Sequence, residues 1–560
     1  MKLWLSTILL CMTLPGNAEV DLDMVNKIRA EGLDQSEVMH TLQYLTDVIG
    51  PRLSGSPQLL QANRWSQQQL KEWGLKDAHL EGFEFGRGWS YDSASINLIS
   101  PRKTSLHGIP VAWTPGTDGT IEGEVIFLDA VTTQELEPYK GRLEGKIVLL
   151  NPPGKFDEST DEVFQRLSAE DLQELDKFDV MKGPSYRRAP AEYRDGWIQS
   201  RKFRWALSKF LDDEGVIAVL TASYRDGGLI NVFGFDHQPE RTFSTSALVI
   251  EAEHYNLLHR FLELEIKPLL SINIDAQFHD GDRNAYNTLA EIPGTDENPE
   301  IVMTGGHLDS WHASTGAVDN AAGVAITMEA MRILSVLEVK PKRTIRIALW
   351  AGEEQGLYGS YEYIRSHLAT RPGPEDPDEL LLPRWIWKSP GWPITTLPDF
   401  DRFSAYFNVD NGSGRIRGIY TEGNAAVKPI FSSWFGPFSD LSAGTVVLGD
   451  TGGTDHESFD DVGLPGFQFI QDGLDYSTRL HHTHIDSYEH AVEADMKQAA
   501  TILASFLYNA ATMEERMPRE VKPVKPTAVS DHDTARRARK ARRDREREAL
   551  RSLDMTRSED

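Results

Sequence analysis

Two adjacent glutamates follow a strongly apolar run in the second half of the chain. Glu353 and Glu354 lie in the stretch WAGEEQGLYGS, between the run TIRIALW and a glycine-rich segment. Carboxylates this close repel each other, and without cations one of them would be driven to its protonated form. The pair is therefore a candidate for binding divalent metal ions. Further ligands are needed for that interpretation, because a lone Glu-Glu pair at a helix start usually just favours the helix dipole.

Four other segments place a ligand-type side chain directly after an apolar run. They are GGHLDSW with His307 and Asp309, GAVDNAAG with Asp319, YFNVDNGSG with Asp410, and HHTHIDSYEH with His482. In an open α/β sheet, residues just beyond the carboxyl ends of the strands converge in one crevice, even when they are distant in sequence. We therefore expect these side chains to meet Glu353 and Glu354.

The expected ligand set combines two histidines with three or four carboxylates and contains no thiolate. Imidazole together with carboxylate suits zinc better than cobalt or manganese. An oxygen-rich set of more than four ligands suits a pair of metal ions that share one bridging carboxylate. The sequence therefore predicts a site for two zinc ions, whose charge would also account for the crowded acids.

The elements that carry these residues alternate between strand and helix from Ile272 onward. EIVMTGG, TIRIALW and FSAYFNVD are typical of buried strands, and NAAGVAITMEAMRILSVL is typical of a helix. This alternation predicts the fold class α/β, with a mixed, mostly parallel sheet flanked by helices. Residues 30–75 are predicted to be helical apart from the break GPRLSGSP. Short strands such as GEVIFLD and GKIVLLN predict an inserted, mostly β module over residues 119–271.

Composition and the first residues limit the location and the partners. The 560 residues carry a formal net charge of -27, so we expect neither nucleic acid nor an anionic membrane as a partner. The start MKLWLSTILLCMTLPGNA predicts a cleaved signal peptide and a secreted or periplasmic protein. A membrane anchor is the alternative, but the apolar run is shorter than the roughly 20 residues of a spanning helix. The single cysteine, Cys11, falls inside this segment.

Two further segments stand outside this scheme. Residues 371–401 form a proline- and tryptophan-rich excursion, and Trp385, Trp387 and Trp392 either wall an apolar pocket or pack the loop onto the domain. The polar tail carries nine basic and three acidic residues between Arg536 and Arg551. It is interpreted as a solvated or disordered tail, with contact to an acidic partner as the alternative.

The motif order GGHLDSW, GAVDNAAG, WAGEEQGLYGS, NVDNG and HHTHID resembles the M28 family of co-catalytic zinc exopeptidases, within it the plasma glutamate carboxypeptidase branch. The resemblance covers about residues 36–511 and implies that the inserted module is a protease-associated domain. It implies an exopeptidase that acts on peptides. Family members are often dimers, so a homodimer is a further expectation.

The same resemblance implies a role for each motif residue. His307 and Asp410 would hold one zinc ion, Glu354 and His482 would hold the other, and Asp319 would bridge them. Glu353 would be the general base that takes a proton from the attacking water and passes it to the leaving amine. Asp309 would orient His307 through its second ring nitrogen.

Three histidines in HHTHID compete for one ligand position. The family pattern His-Thr-x-x-Asp fits His482, Thr483 and Asp486, so His482 is preferred to His481 and His484.

A further candidate lies in GGTDHESFDDVG. Asp455 and His456 resemble an Asp-His pair found near the substrate pocket of several family members, although the plasma glutamate carboxypeptidase branch differs at the histidine. We predict a substrate or oxyanion contact, with a loop hydrogen bond as the alternative. The chain contains neither His-Glu-x-x-His nor Gly-x-Ser-x-Gly, so thermolysin-like and serine-hydrolase chemistry are unsupported.

The resemblance leaves two other functions open. One is a glutaminyl-cyclase-like transferase with a single zinc ion, which His307 and Asp410 argue against because one metal does not need both. The other is a non-catalytic binding protein of the same fold, although every expected ligand position is filled. Which peptide end is recognised stays open between an aminopeptidase, which needs an acid for the α-ammonium, and a carboxypeptidase or dipeptidase, which needs a cation for the α-carboxylate.

The predicted organisation has five parts. Residues 1–18 are a signal peptide, 19–118 the N-terminal part of the peptidase domain, 119–271 the protease-associated-like insertion, 272–516 the catalytic part of the peptidase domain, and 517–560 a polar, partly basic tail.

Overall fold

The computed structural model describes residues 20–154, 162–177, 191–382 and 392–519. Residues 1–521 form one unit and residues 522–560 a second, which lies outside the described residues. The predicted signal peptide also lies outside them, as do Trp385, Trp387 and the predicted tail beyond residue 519.

The described residues form eleven α-helices and eighteen strands. The helices are α1 (Leu22–Asp34), α2 (Val38–Gln43), α3 (Pro57–Glu72), α4 (Ala169–Leu175), α5 (Ala191–Asp213), α6 (Ala252–Glu263), α7 (Ala322–Val336), α8 (Tyr358–Tyr363), α9 (Lys428–Phe435), α10 (His456–Asp460) and α11 (Glu493–Thr512). The strands are β1 (Lys76–Glu84), β2 (Gly88–Ser100), β3 (Thr104–Leu106), β4 (Gly108–Pro110), β5 (Ile121–Phe127), β6 (Ile147–Leu149), β7 (Ala218–Ala222), β8 (Ala247–Ile250), β9 (Leu269–His279), β10 (Asn284–Ile292), β11 (Ile301–His307), β12 (Thr344–Trp350), β13 (Ala369–Thr370), β14 (Thr395–Thr396), β15 (Phe403–Asn408), β16 (Ile416–Tyr420), β17 (Thr445–Val447) and β18 (Gly466–Gln471).

The central sheet has the strand order β1-β10-β12-β11-β15-β18-β16-β17. Its middle strands β12, β11, β15 and β18 are parallel, and every residue of β11, β15 and β18 is buried. Burial on both faces explains why these strands are continuous apolar runs rather than alternating ones. Helices α7 and α11 pack together beside the sheet, and most of their residues are buried. The predicted α/β fold class, with a mixed sheet flanked by helices, is confirmed.

The second sheet has the strand order β3-β2-β9-β5-β6-β7-β8-β4. Strands β5 to β8 pair in parallel, whereas β2, β9 and the edge strands β3 and β4 pair antiparallel. Its strands run from Gly88 to His279, whereas the sequence predicts an inserted module over residues 119–271. The predicted domain boundaries stay predictions.

Backbone hydrogen bonds join the second sheet's loops to residues 472–484, which we call the ligand loop. The N–H of Val232 donates to the carbonyl oxygen of His482 at 3.0 Å, and the N–H of His484 donates to that of Ile230 at 3.0 Å. A second pair of bonds joins Gln165 and Leu474 in both directions. The loop that carries His482 is therefore fixed partly by residues of the second sheet's connections.

Among the helices that the structure describes, none combines the length and the apolar character that crossing a membrane requires.

Candidate metal centre

The candidate residues lie at the carboxyl edge of the central sheet. His307 is the last residue of β11, and Glu353 and Glu354 follow β12, the neighbouring parallel strand. Asp410 follows β15, which pairs with β11 on the other side. Asp319 precedes α7. The carboxyl ends of neighbouring parallel strands meet at one edge of a sheet. This topology therefore brings the residues at the strand ends together, as the sequence predicts.

The start of α7 lies very close to the end of β15. A Cβ atom at Gly323 would collide with the backbone carbonyl oxygen of Val409, so only a residue without a side chain fits this crossing. The side-chain amide of Asn320 donates to the same carbonyl oxygen at 3.0 Å. These contacts fix Asp319 beside Asp410.

One half of the centre contains three buried side chains. The Nε2 atom of His307 lies 3.4 Å from Oδ1 of Asp319 and 3.4 Å from Oδ1 of Asp410. In a tetrahedral zinc site with metal–ligand distances of about 2.0–2.2 Å, neighbouring ligand atoms are about 3.3–3.5 Å apart. The histidine nitrogen is thus separated from each oxygen as ligands of one zinc ion are, and all three atoms lie within 4.8 Å of one another.

The other half uses the second oxygen of the same aspartate. The Nε2 atom of His482 lies 3.0 Å from Oε2 of Glu354 and 3.5 Å from Oδ2 of Asp319. Asp319 therefore presents one oxygen atom to each half. A carboxylate placed in this way can bridge two metal ions.

Unpartnered oxygen atoms in the centre agree with bound cations. Oδ2 of Asp319 and Oε1 of Glu354 are buried and have no hydrogen-bond partner within the protein. A buried polar atom without a partner is costly, and a metal ion would satisfy both oxygens. The donor set of imidazole and carboxylate is one that zinc accepts. The residues present therefore fit zinc.

Electrostatics point the same way. Burial raises the pKa of Glu353 well above its usual range. The charge of His307 lowers this pKa, and the charge of Asp410 raises it. Burial and the charge of Asp319 likewise raise the pKa of Glu354. The pKa of His307 is raised although burial lowers it, because Asp410 and Glu353 are close. The cluster therefore creates a strongly negative potential that divalent cations would neutralise.

Glu353 occupies a different position from Glu354. Its Oε2 atom lies 4.0 Å from Nε2 of His307, which is farther than any contact within the two ligand groups. Glu353 therefore belongs to neither group. Its side chain is 11% exposed, compared with 3% for Glu354. The two adjacent side chains therefore point to different surroundings, one beside His482 and one beside the buried half.

Asp309 connects the histidine to the glutamate pair. The backbone carbonyl oxygen of Asp309 lies 3.0 Å from Nδ1 of His307, whereas its carboxylate lies 3.7 Å away. The carboxylate instead accepts the backbone N–H groups of Glu353 and Glu354, each at 3.3 Å, and the hydroxyl of Ser54 at 2.9 Å. Asp309 therefore orients His307 through its main chain and the glutamates through its side chain.

Arg52 and Asp486 hold the segment between His307 and Asp319. The Arg52 guanidinium donates to the carbonyl oxygens of Leu308, Thr315 and Gly316 at 2.7–2.8 Å. The Asp486 carboxylate accepts the N–H groups of Val318 at 2.7 Å and of Asp319 at 3.0 Å. Both side chains are buried, and burial raises the pKa of Asp486 to about 7.

The roles of Arg52, Ser54 and Asp486 are not predictable from the sequence pattern around them. Arg52 and Ser54 lie in the break GPRLSGSP, where no periodic pattern marks a buried polar residue. Asp486 belongs to the motif His-Thr-x-x-Asp that selected His482, so its spacing was the available signal.

His482 is held in an unusual backbone conformation. Its φ angle is 58°, in the left-handed region that residues other than glycine rarely adopt and that is enriched at functional sites. Two hydrogen bonds from the Thr483 hydroxyl, to Arg479 at 2.7 Å and to Leu480 at 3.0 Å, stabilise the turn. Together with the bond from Val232, they aim the His482 ring at Glu354.

Charged contacts also clamp the ligand loop. The Arg166 guanidinium lies 2.8 Å from Oδ2 of Asp472 and 2.7 Å from Oδ2 of Asp495, and both carboxylates are buried. Arg417 and Arg415 pair with the same two aspartates. Residues near the second sheet and residues of the central-sheet domain therefore share one ion-pair network.

The competing histidines take other places. His481 stacks on His482 with ring centroids 3.7 Å apart, and its Nε2 atom lies 3.9 Å from Oδ2 of Asp319. Nδ1 of His484 instead accepts the N–H of Ile230 at 3.0 Å. His482 makes the shorter contacts, so the preference for His482 remains our prediction and His481 is its nearest rival.

Asp455 and His456 are buried beside the first half of the centre. Burial raises the pKa of Asp455 to about 7, the charge of His307 lowers it, and that of Asp410 raises it. Nε2 of His456 lies 3.6 Å from Oε1 of Glu422, a residue that the sequence analysis did not single out. Their predicted contact with substrate stays a prediction.

The described end of the proline-rich excursion packs against the protein. Trp392 contacts a hydrophobic cluster that includes Tyr363 and Ile394, and its ring lies 5.7 Å from the Arg371 guanidinium. This agrees with the packing alternative for Trp392, whereas Trp385 and Trp387 lie outside the described residues.

Comparison with known proteins finds a family model that matches the part of the chain that carries this site. Residues 287–507 match the model of peptidase family M28. Carboxypeptidase Q of Homo sapiens is 25% identical over 493 residues, which cover 87% of this chain and 88% of that protein. Carboxypeptidase Q of Rattus norvegicus is 26% identical over 497 residues, with the same coverage.

Solved structures share the fold. A peptidase M28 precursor from Shewanella amazonensis has a TM-score of 0.61 and 22% identity, with 90% of this chain and 99% of that chain covered. A zinc aminopeptidase from Bacillus subtilis has a TM-score of 0.52 and 17% identity, with 85% and 95% covered.

Proposed function

Since residues 287–507 match peptidase family M28 and carboxypeptidase Q is similar along 87% of the chain, we propose that this chain is a secreted zinc exopeptidase of that family that works with two zinc ions. It releases terminal residues from peptides or dipeptides. The observation that carries the proposal is the arrangement around Asp319, whose two oxygens face two separate groups, each with one further histidine and one further carboxylate.

His307, Asp410 and one oxygen of Asp319 would hold the first zinc ion. His482, Glu354 and the other oxygen of Asp319 would hold the second. When bound, the two ions supply Lewis acidity, which lowers the pKa of a water molecule and stabilises negative charge on a carbonyl oxygen. Asp309, Arg52 and Asp486 keep these side chains in place.

Glu353 moves the proton. It takes a proton from the water that attacks the scissile carbonyl, and it returns this proton to the nitrogen of the leaving amine. Its place outside both ligand groups suits that exchange, because its carboxylate stays free to accept and release a proton within one turnover.

The two candidate ends of the substrate would need different partners. Asp455 and Glu422 are buried acids of the kind that an α-ammonium group requires. Arg225 reaches the ligand loop, where it donates to the carbonyl oxygen of Ser477 at 3.1 Å, and is a cation of the kind that an α-carboxylate requires. The similarity to carboxypeptidase Q favours the second, and the zinc aminopeptidase fold neighbour is consistent with the first.

Secretion follows from the first eighteen residues, whose pattern of a basic start, an apolar run and small residues predicts a signal peptide. N-terminal sequencing of the protein recovered outside the cytoplasm should begin at Glu19. A mature protein that begins at Met1 would contradict secretion by this route.

The activity is tested by mass analysis of peptide products. Mature protein with added zinc is incubated with peptides that have free, N-blocked or C-blocked ends, each with and without a chelator. We expect chelator-sensitive release of one terminal residue.

Dependence on a free N-terminus would mark an aminopeptidase, dependence on a free C-terminus a carboxypeptidase, and dependence on both a dipeptidase. No cleavage by protein whose catalytic centre holds two zinc ions would overturn the proposal in favour of a binding protein, and a single zinc ion in that centre would favour the transferase.

A further inference from the structure

A second group of metal-ligand side chains lies at the edge of the second sheet. It contains His107, Glu251 and His254, each with one ligand-type atom within 4.8 Å of the others. His107 stands between β3 and β4, and Glu251 lies between β8 and α6. The antiparallel pairing of β4 with β8 places them opposite each other, and the N–H of Glu251 donates to the carbonyl oxygen of His107 at 3.0 Å. His254 follows in the first turn of α6.

The spacing within this group matches that of the catalytic centre. Oε2 of Glu251 lies 3.1 Å from Nδ1 of His107 and 3.3 Å from Nδ1 of His254. Ligand atoms of a tetrahedral zinc ion are separated by about 3.3–3.5 Å. One carboxylate oxygen therefore faces two imidazole nitrogens at the separation that a shared zinc ion needs.

The two contacts of Nδ1 of His254 require different protonation states of that nitrogen. Its Nδ1 accepts the backbone N–H of His107 at 3.1 Å, which requires a free lone pair on that nitrogen. The same lone pair then faces the carboxylate oxygen of Glu251 at 3.3 Å, which is also an acceptor. If Nδ1 instead carries a proton for Glu251, the N–H of His107 loses its acceptor. In either tautomer one contact is unfavourable.

We propose that His107, Glu251 and His254 bind a third zinc ion, separate from the two ions of the catalytic centre. The ion accepts the lone pairs of both Nδ1 atoms and of Oε2, so that the contact between Glu251 and His254 becomes attractive. The backbone N–H of His107 then loses its bond to Nδ1 of His254, and the coordinate bond between that nitrogen and zinc takes its place. The group is open on the side of His107, whose side chain is 70% exposed. A water molecule completes the tetrahedron on this open side.

The site is close to the ligand loop. Burial lowers the pKa of His484, the charge of His107 lowers it further, and that of Glu251 raises it. His484 is two residues from His482 and is bonded to Ile230 of the second sheet's connections. A zinc ion held by His107, Glu251 and His254 would therefore link the ends of β4 and β8 to α6, at the sheet edge nearest to His484.

The test is the number of zinc ions that metal-free, full-length protein takes up in equilibrium dialysis, measured by mass spectrometry. We expect His254→Ala and Glu251→Gln each to bind one zinc ion fewer than the unmutated protein. His79→Ala is the matched control, because His79 lies near a single carboxylate, Asp77, at 3.7 Å. It should bind the unmutated number. Equal zinc numbers in all four proteins would overturn the proposal.

A second background separates this site from the catalytic centre. In protein that already carries His482→Ala, the change His254→Ala should again remove one zinc ion, because the two sites share no ligand. If His254→Ala lowers the count in unmutated protein and not in the His482→Ala background, the lost ion belongs to the catalytic centre and the proposal is wrong. Cobalt(II) gives a spectroscopic check, since its visible absorption should lose one component in Glu251→Gln.

Discussion

The two halves of the metal centre are supported in different ways. His307 and Asp410 lie at the ends of buried parallel strands, and their side chains are 1% and 7% exposed. His482 lies on the ligand loop, in a left-handed backbone conformation, and its side chain is 29% exposed. The first half is therefore fixed by the core of the central sheet, whereas the second depends on contacts with the second sheet's connections. We expect the second zinc ion to bind more weakly and to be lost first.

The largest expected effect comes from the residue that both halves share. Asp319→Ala removes one ligand from each zinc ion, and it should lower kcat/KM by about a thousandfold or more. Zinc content and peptide turnover are measured together. Asp23→Asn, an exposed acid in the first turn of α1, is the control and should change neither. If Asp319→Ala retained both ions with undiminished affinity, Asp319 would not be the bridge.

The loop contacts should affect one half and not the other. Arg166→Ala leaves the buried carboxylates of Asp472 and Asp495 with fewer partners and loosens the ligand loop. Because partners that orient metal ligands typically contribute about 10–100-fold in affinity, the second zinc ion should bind at least about tenfold more weakly. The measurement is a zinc titration that resolves two affinities.

The matched control for Arg166→Ala is Arg29→Ala, which removes an ion pair with Asp440 at 2.6 Å that is remote in sequence from the ligand loop. It should leave both affinities unchanged. If Arg166→Ala weakened both zinc ions equally, or neither, the two halves would not differ in their support.

A smaller effect concerns His312, which lies between His307 and Asp319 in the chain and contacts Pro110 of the second sheet. Nε2 of His312 donates to the carbonyl oxygen of Pro110 at 2.7 Å, and its buried Nδ1 has no hydrogen-bond partner within the protein. Burial lowers the pKa of His312 to about 4. The unfolded chain binds this proton below a pH of about 6.5 and the folded chain only near pH 4. This contribution to stability is therefore complete above pH 6.5 and is lost as the pH falls from 6.5 to 4.

The measurement is urea unfolding at pH 7 and at pH 4.5, on unmutated protein and on His312→Gln. The unmutated protein should lose more unfolding free energy on acidification than the variant, by about 1–3 kcal/mol, since one pKa unit corresponds to about 1.4 kcal/mol. If the unfolding free energies of both proteins fell equally on acidification, the pKa of His312 would not contribute to the pH dependence of stability. His237→Gln is the companion variant, because burial lowers the pKa of His237 to about 4 as well.

The buried first half of the centre was easier to predict from the sequence than the position of His482 in the second half. The strands EIVMTGG and FSAYFNVD are visible as apolar runs that stop at a ligand residue, so His307 and Asp410 could be placed at strand ends. The position of His482 depends on hydrogen bonds between segments that are about 250 residues apart, such as that from Val232. No local pattern encodes such a contact.

The supporting residues show the same limit. Arg52 acts through backbone carbonyl oxygens of residues 308–316, and Asp309 through the N–H groups of the glutamates, so neither partner is identifiable from residue type. The group of His107, Glu251 and His254 was also not visible, since only strand pairing brings its members together.

The central claim is that two adjacent glutamates have different tasks, one as a zinc ligand and one as the group that moves the proton. Its most direct test compares Glu353→Gln with Glu354→Gln for zinc content and peptide turnover. We predict that Glu353→Gln keeps the unmutated zinc content and loses about a hundredfold to ten-thousandfold in kcat, whereas Glu354→Gln holds the second zinc ion more weakly. Near-normal turnover in Glu353→Gln, or loss of zinc from it, would contradict the account.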